Sequence, residues 1–131
     1  MKMYKAKLEK DIRCPLEYGL EIFGGKWKSR IICVLAQNKV LRYSSLKKEM
    51  VNITDAVLAA ALKELLADGI VDRKQYPEIP PKVEYSLSAK GISVIPILQS
   101  ICQWSGMTEK QDCAHTLKQC EKCDFNPKRK L

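Results

Sequence analysis

LRYSSLKKEMVNITDAVLAAALKELLADGIVDRKQYPEIPPKVEYSL, residues 41–87, decides the fold. Its opening, LRYSSLKKEM, has helical spacing: Leu41, Leu46 and Met50 are apolar, with Lys47, Lys48 and Glu49 between them. Val51-Asn52-Ile53 interrupts that pattern. Thr54 then suits the N-cap of a second helix, where its hydroxyl accepts an otherwise orphaned N–H. That helix, TDAVLAAALKELLAD, gathers Val57, Leu58, Leu62, Leu65 and Leu66 on one face. Gly69 ends it, because glycine adopts the left-handed closing conformation without steric penalty. IVDRKQY and KVEYSL follow; both are rich in β-branched or aromatic residues and read as strands. Pro77-Glu78-Ile79-Pro80-Pro81 between them suits neither a helix nor a central strand. Helix, turn, helix, hairpin is the order of a winged helix-turn-helix, which usually places its second helix in the DNA major groove.

Upstream, Cys14-Pro15 starts a first helix, since proline fits the first helical position, where a missing N–H costs nothing. Leu16, Leu20, Ile22 and Phe23 supply its apolar side, and Gly24-Gly25 stops it. Lys26-Trp27-Lys28 opens a further helix through about Gln37, with Trp27, Ile31, Ile32, Cys33, Val34 and Leu35 as core candidates. Downstream, Ser88 caps a last helix from Ala89 to about Trp104, kinked at Pro96 by the loss of a hydrogen bond. Ile92, Ile95, Leu98, Ile101 and Cys102 form a stripe along it, readable as core or as a seam between two copies. A homodimer is expected, because a protein that reads DNA through one short helix usually binds as a two-fold pair. The expected architecture is mainly α with a small β-hairpin: a winged helix-turn-helix with N- and C-terminal dimerisation helices. Three parts follow: a basic N-terminal arm (1–13), the domain (14–106) and a cysteine-containing basic tail (107–131).

A chain of 131 residues with 46% hydrophobic content can bury a core without metal or disulfide staples. Its net charge of +8 suggests a polyanionic partner, nucleic acid or an acidic membrane surface, but charge alone fits a merely basic exterior equally well. The longest apolar runs, Ile31–Ala36 and Val57–Leu62, fall far short of the ~20 residues that span a bilayer. MKMYKAKLEK is basic, but no apolar segment of a secretion signal follows it, so a cytoplasmic protein with no membrane partner is expected. Six cysteines without such a signal fit reduced thiols, metal ligands or redox chemistry better than a disulfide framework. No catalytic constellation and no glycine-rich phosphate loop is visible, so the chain does not read as an enzyme.

CPLEYGLEIFGGKWK, LRYSSLKKEM, LKELLADGIVDRKQYPEIPPKVEYSLSAKG and the helix through ICQW together resemble the HxlR-type winged-helix regulators. The resemblance runs from Cys14 to Trp104; the arm and tail lie outside it. It implies a bacterial or archaeal homodimeric transcription factor whose terminal helices form the dimer interface. It also implies that some members sense oxidants or electrophiles through the cysteine before the first helix's proline, here Cys14.

The helix from Thr54 is then the recognition element, and Asp55, Ala56, Ala59, Ala60 and Lys63 line its outer face. Many relatives place Gln, Lys or Arg near its start. Alanines let the backbone approach the bases and touch thymine methyls, but they form no hydrogen bonds. Asp55 is suited to accept from a cytosine amino group; it also repels phosphate, or simply stabilises the helix start through the dipole. Arg42, Tyr43, Ser44, Ser45, Lys47 and Lys48 surround the preceding helix and are candidate phosphate contacts. Arg73, Lys74 and Lys82 on the hairpin are candidates for phosphates or a minor groove. At Cys14, the positive end of the helix dipole favours thiolate, the form that oxidants attack, and Lys10 and Arg13 add charge nearby. In the tail, Cys113, His115, Cys120 and Cys123 offer zinc-competent ligands as C-x-H-x4-C-x2-C. The loop is tight for a tetrahedral site, so three readings stand: zinc, a redox pair of Cys120 and Cys123, or free thiols. No cofactor is required otherwise. A winged-helix interaction module with no specific DNA site, docking through this tail, is the alternative function.

Overall fold

A computed structural model describes residues 13–108. In chain order these form α1 (Pro15–Ile22), α2 (Lys28–Asn38), β1 (Val40–Arg42), α3 (Tyr43–Met50), α4 (Asp55–Ala67), β2 (Val71–Tyr76), β3 (Lys82–Leu87), α5 (Ala89–Ser93) and α6 (Ile95–Thr108). The core is built around α2, whose Ile31, Ile32, Val34 and Leu35 are buried. Leu46 and Met50 reach it from α3, and Leu58, Ala61, Leu62 and Leu65 from α4. Each fully buried aliphatic side chain contributes roughly 1.5–3 kcal/mol, which seats the two helices of the motif firmly on α2.

The expected hairpin is present, but it belongs to a three-stranded antiparallel sheet in the order β1-β3-β2. Leu41 therefore does not open α3. It lies opposite Tyr85, with Val40 opposite Ser86, in a strand that ends where α3 begins. Lys39, at φ 68°, turns the chain out of α2 into this strand. Three residues are too few to display the alternation that marks a strand, so the periodicity of α3 masked it.

Both ends of α4 form as the residues require. Thr54 Oγ1 accepts from the Val57 N–H at 3.2 Å. Gly69, at φ 74°, lets its own N–H reach the Leu66 carbonyl at 3.1 Å and the Ile70 N–H reach Leu65 at 2.9 Å. This reciprocal closure brings Leu65 and Ile70, both fully buried, to the base of β2. Ser88 joins the end of α4 to α5. Its N–H donates to the Ile70 carbonyl at 3.0 Å, and its Oγ accepts from the Gly91 N–H at 3.0 Å.

Other expectations shift. Cys33 is exposed, because Ile31, Ile32, Val34 and Leu35 centre the buried face of α2 on the opposite side of the helix. In α1, Ile22 and Phe23 pack against the core, but Leu16 and Leu20 are exposed. Val57 is exposed, and Ala61 takes a core position instead. The break before Pro96 is complete: α5 closes at Val94, and Pro96 sits in the first turn of α6, where it displaces no helical partner. α6 continues to Thr108, past the helix end expected near Trp104.

Candidate nucleic-acid interface

α3 and α4 meet at a polar cluster that spacing did not suggest. The Tyr43 hydroxyl, in the first turn of α3, donates to Asp55 at the start of α4, 3.2 Å from Oδ1 and 3.3 Å from the backbone carbonyl. Lys47 Nζ lies 3.4 Å from the same Oδ1. Burial, reinforced by the Asp55 carboxylate, raises the Tyr43 pKa, so the hydroxyl remains a donor at neutral pH. Asp55 is thus neither a bare repulsive charge nor only a helix-dipole partner; it joins the two helices of the motif.

Ser44, Ser45 and Lys48 are exposed on α3, and Arg42 is exposed where β1 gives way to it. Thr54 uses its oxygen as a cap acceptor, which leaves its O–H to donate. On α4 the expected outer face is outward: Asp55, Ala56, Ala59, Ala60 and Lys63 are all exposed. The end of α3 is held from α2. Arg30 donates to the Met50 carbonyl at 3.3 Å, a cation at a helix C-terminus, and stacks 4.9 Å from the centre of the Trp27 ring. Nothing local links Arg30 to Met50, so a reading of adjacent residues misses this support.

The wing's three cations do not form one set. Strand alternation puts Arg73, paired opposite Tyr85, on one face, where it donates to Gln75 Oε1 at 3.4 Å. Lys74 and Lys82 occupy the other face, on either side of Tyr76, with ammonium groups 5.0 and 4.7 Å from its ring centre. The Tyr76 hydroxyl donates to Glu84 Oε1 at 2.8 Å, and Lys82 lies 3.4 Å from Oε2. The hydroxyl's hydrogen bond, helped by Lys82 and opposed by partial desolvation, lowers the Glu84 pKa. A lowered carboxylate pKa means that this support is present above the ordinary Glu range and is lost as pH falls through the folded-state value.

Cys14 is the N-cap of α1, extended at φ −83° and ψ 157°, exposed, and not used as a side-chain cap. The Arg13 charge expected to act on it instead pairs with Glu21 and stacks 4.0 Å above the Tyr18 ring. Lys10, Cys113, His115, Cys120 and Cys123 lie outside the described residues. Among the described residues, no group of three or more His, Cys, Asp or Glu is arranged to hold a metal ion. No described helix is long and apolar enough to cross a membrane.

Known proteins share this arrangement. An uncharacterized HTH-type transcriptional regulator of Halalkalibacterium halodurans is 46% identical over 79% of this chain and 92% of its own length. The redox regulator HypR in its oxidized form superposes with a TM-score of 0.68 at 36% identity, covering 75% of this chain and all of that one (100%). The reduced form of the transcriptional regulator YodB from B. subtilis gives a TM-score of 0.68 at 32% identity, over 77% of this chain and 100% of its own. The model of the HxlR-like helix-turn-helix matches residues 22–112. With the capped α4, the α3 that supports it and the hairpin all in place, the chain belongs to the HxlR-like helix-turn-helix family of DNA-binding transcriptional regulators.

Proposed function

We propose that this regulator acts in the cytoplasm as a homodimer whose hold on double-stranded DNA changes when Cys14 is oxidised. The observation that carries the reading is the position of Cys14. It is an exposed thiol at the start of α1, a helix whose Leu16 and Leu20 are 67% and 50% exposed with nothing to cover them among the described residues. A second apolar face lies on α6, where Ile97, Ile101 and Trp104 follow helical spacing and are 53%, 48% and 64% exposed. Apolar surface of this kind on the terminal helices is what an interface between two copies requires. The similarity to HypR, a redox regulator, supports the sensing role.

The chemistry needs an accessible thiol, a hydroperoxide as the two-electron oxidant and a second thiol, which the Cys14 of the other copy would supply. A thiolate attacks a hydroperoxide oxygen, the O–O bond breaks, and sulfenic acid and an alcohol or water result. A second thiol then displaces water and forms a disulfide. Such a bond at the start of α1 constrains the dimer seam and with it the spacing of the two α4 helices. That spacing must match half-sites about one DNA turn apart, roughly 34–36 Å.

The test compares DNA binding before and after mild hydroperoxide for the parent, Cys14→Ser, and Cys33→Ser with Cys102→Ser. The control is needed because Cys33 and Cys102 are also exposed. The parent and the double variant should change affinity on oxidation and recover with reductant. Cys14→Ser should bind like the reduced parent and ignore the oxidant. An oxidant response retained in Cys14→Ser overturns the proposal.

A further inference from the structure

The start of α4's outer face carries a single polar side chain. Over its first two turns it presents Asp55, Val57 and the methyl groups of Ala56, Ala59 and Ala60. Thr54 has committed its oxygen to the helix cap, and Lys63 lies one turn further on. Thr54 precedes the helix, so within the first two turns of α4 itself Asp55 is the one side chain able to accept a hydrogen bond from a base. Its carboxylate is also oriented. Tyr43 and Lys47 both engage Oδ1, which leaves Oδ2 without a partner among the described residues, and the side chain is 71% exposed. The Lys47 ammonium at 3.4 Å offsets the repulsion that an isolated carboxylate would meet beside a phosphate backbone.

In the major groove, a carboxylate discriminates sharply. Guanine shows two acceptors and thymine an acceptor and a methyl, so both repel it or leave it unpaired. Adenine places its N7 acceptor beside its amino group. Cytosine offers an amino donor whose outer neighbour on the same base is C5–H rather than an acceptor. Methyl groups, in turn, pack against the thymine 5-methyl and form no bond that would select another base.

We propose that Asp55, positioned by Tyr43 and Lys47, is the specificity-determining residue of this regulator and accepts a hydrogen bond from one cytosine amino group in each half-site. Ala56, Ala59 and Ala60 then face thymine methyls next to that cytosine. The inference rests on the family-level reading that α4 enters the major groove.

Sequences selected from a random duplex pool test it, using the reduced parent, Asp55→Ala, Asp55→Asn and Tyr43→Phe. The parent should enrich a pseudo-palindrome with one fixed cytosine per half-site and thymines beside it. Asp55→Ala should lose a preference of roughly 5- to 150-fold at that position alone, the ordinary cost of one mismatched base pair. Asp55→Asn, nearly identical in shape, should move the preference to adenine, because an amide pairs with its N6 and N7. Tyr43→Phe should weaken discrimination at the same position and leave the others intact, as expected of a positioning residue. A parent motif whose cytosine survives in both Asp55 variants overturns the proposal and leaves the DNA reading standing. So does an Asp55→Ala variant that binds every sequence more tightly by the same factor, since Asp55 would then only repel phosphate. A parent that binds duplex DNA but enriches no sequence overturns base reading by α4 itself, and this proposal with it.

Discussion

Gly91 shows how one residue holds the domain together. A Cβ built there would lie 2.2 Å from the Ile70 carbonyl oxygen, a backbone atom that already accepts from the Ser88 N–H. Neither α5 nor the start of β2 can retreat without opening the Ser88 connection. Gly91→Ala should therefore cost about 2–3 kcal/mol, the scale of overpacking a tight interior. Urea unfolding should show a lower midpoint with an unchanged slope. A midpoint equal to that of the parent would mean that the helix can shift aside.

At the scale of an element, α3 carries two lysines with different duties. Lys47 is paired with Asp55, whereas Lys48 is exposed and has no partner among the described residues. Lys48→Ala should weaken binding to all sequences alike and lower the slope of log affinity against log salt by about two, roughly one for each copy in the dimer. Lys47→Ala should do this and also blur the base preference set by Asp55. Filter or anisotropy titrations on one selected site and one scrambled site separate the two effects. Equal behaviour of the two variants on both duplexes would dissociate Lys47 from base reading.

Across the whole molecule, net charge and uncovered apolar surface govern behaviour. A chain of +8 that neutralises about 6–10 phosphates as a dimer should lose ~10³–10⁵-fold in affinity between ~50 and ~200 mM salt. The seam is best probed at Ile97 and Ile101, which are exposed, rather than at Leu98, which packs against its own core. A two-fold interface buries an introduced charge twice, so Ile101→Glu should sediment as a monomer while the winged domain keeps its helical signal. A variant that stays dimeric at micromolar concentration would place the seam elsewhere.

The amino-acid order by itself determined the extent of α4, the hairpin, the cap at Ser88, a disturbance of the last helix at Pro96 and the position of Cys14 ahead of α1. These depend on events within a few residues: a hydroxyl reaching its third neighbour's N–H, a glycine free to turn left-handed, a proline without an N–H. The outward setting of Ala56, Ala59 and Ala60 was legible for the same reason, through helical period. What only the tertiary structure decided spans longer separations. β1 exists because Leu41 pairs with Tyr85, far along the chain, and its three residues carry no period of their own. Cys33 faces outward because α2 rotates to bury its bulkiest aliphatic surface. Asp55 changes from a plain N-terminal charge to an oriented acceptor because packing α3 on α2 brings Tyr43 and Lys47 to it. Leu46 and Met50, buried against α2, set that approach, and burial of their apolar surface has no directional signature in the sequence around Asp55.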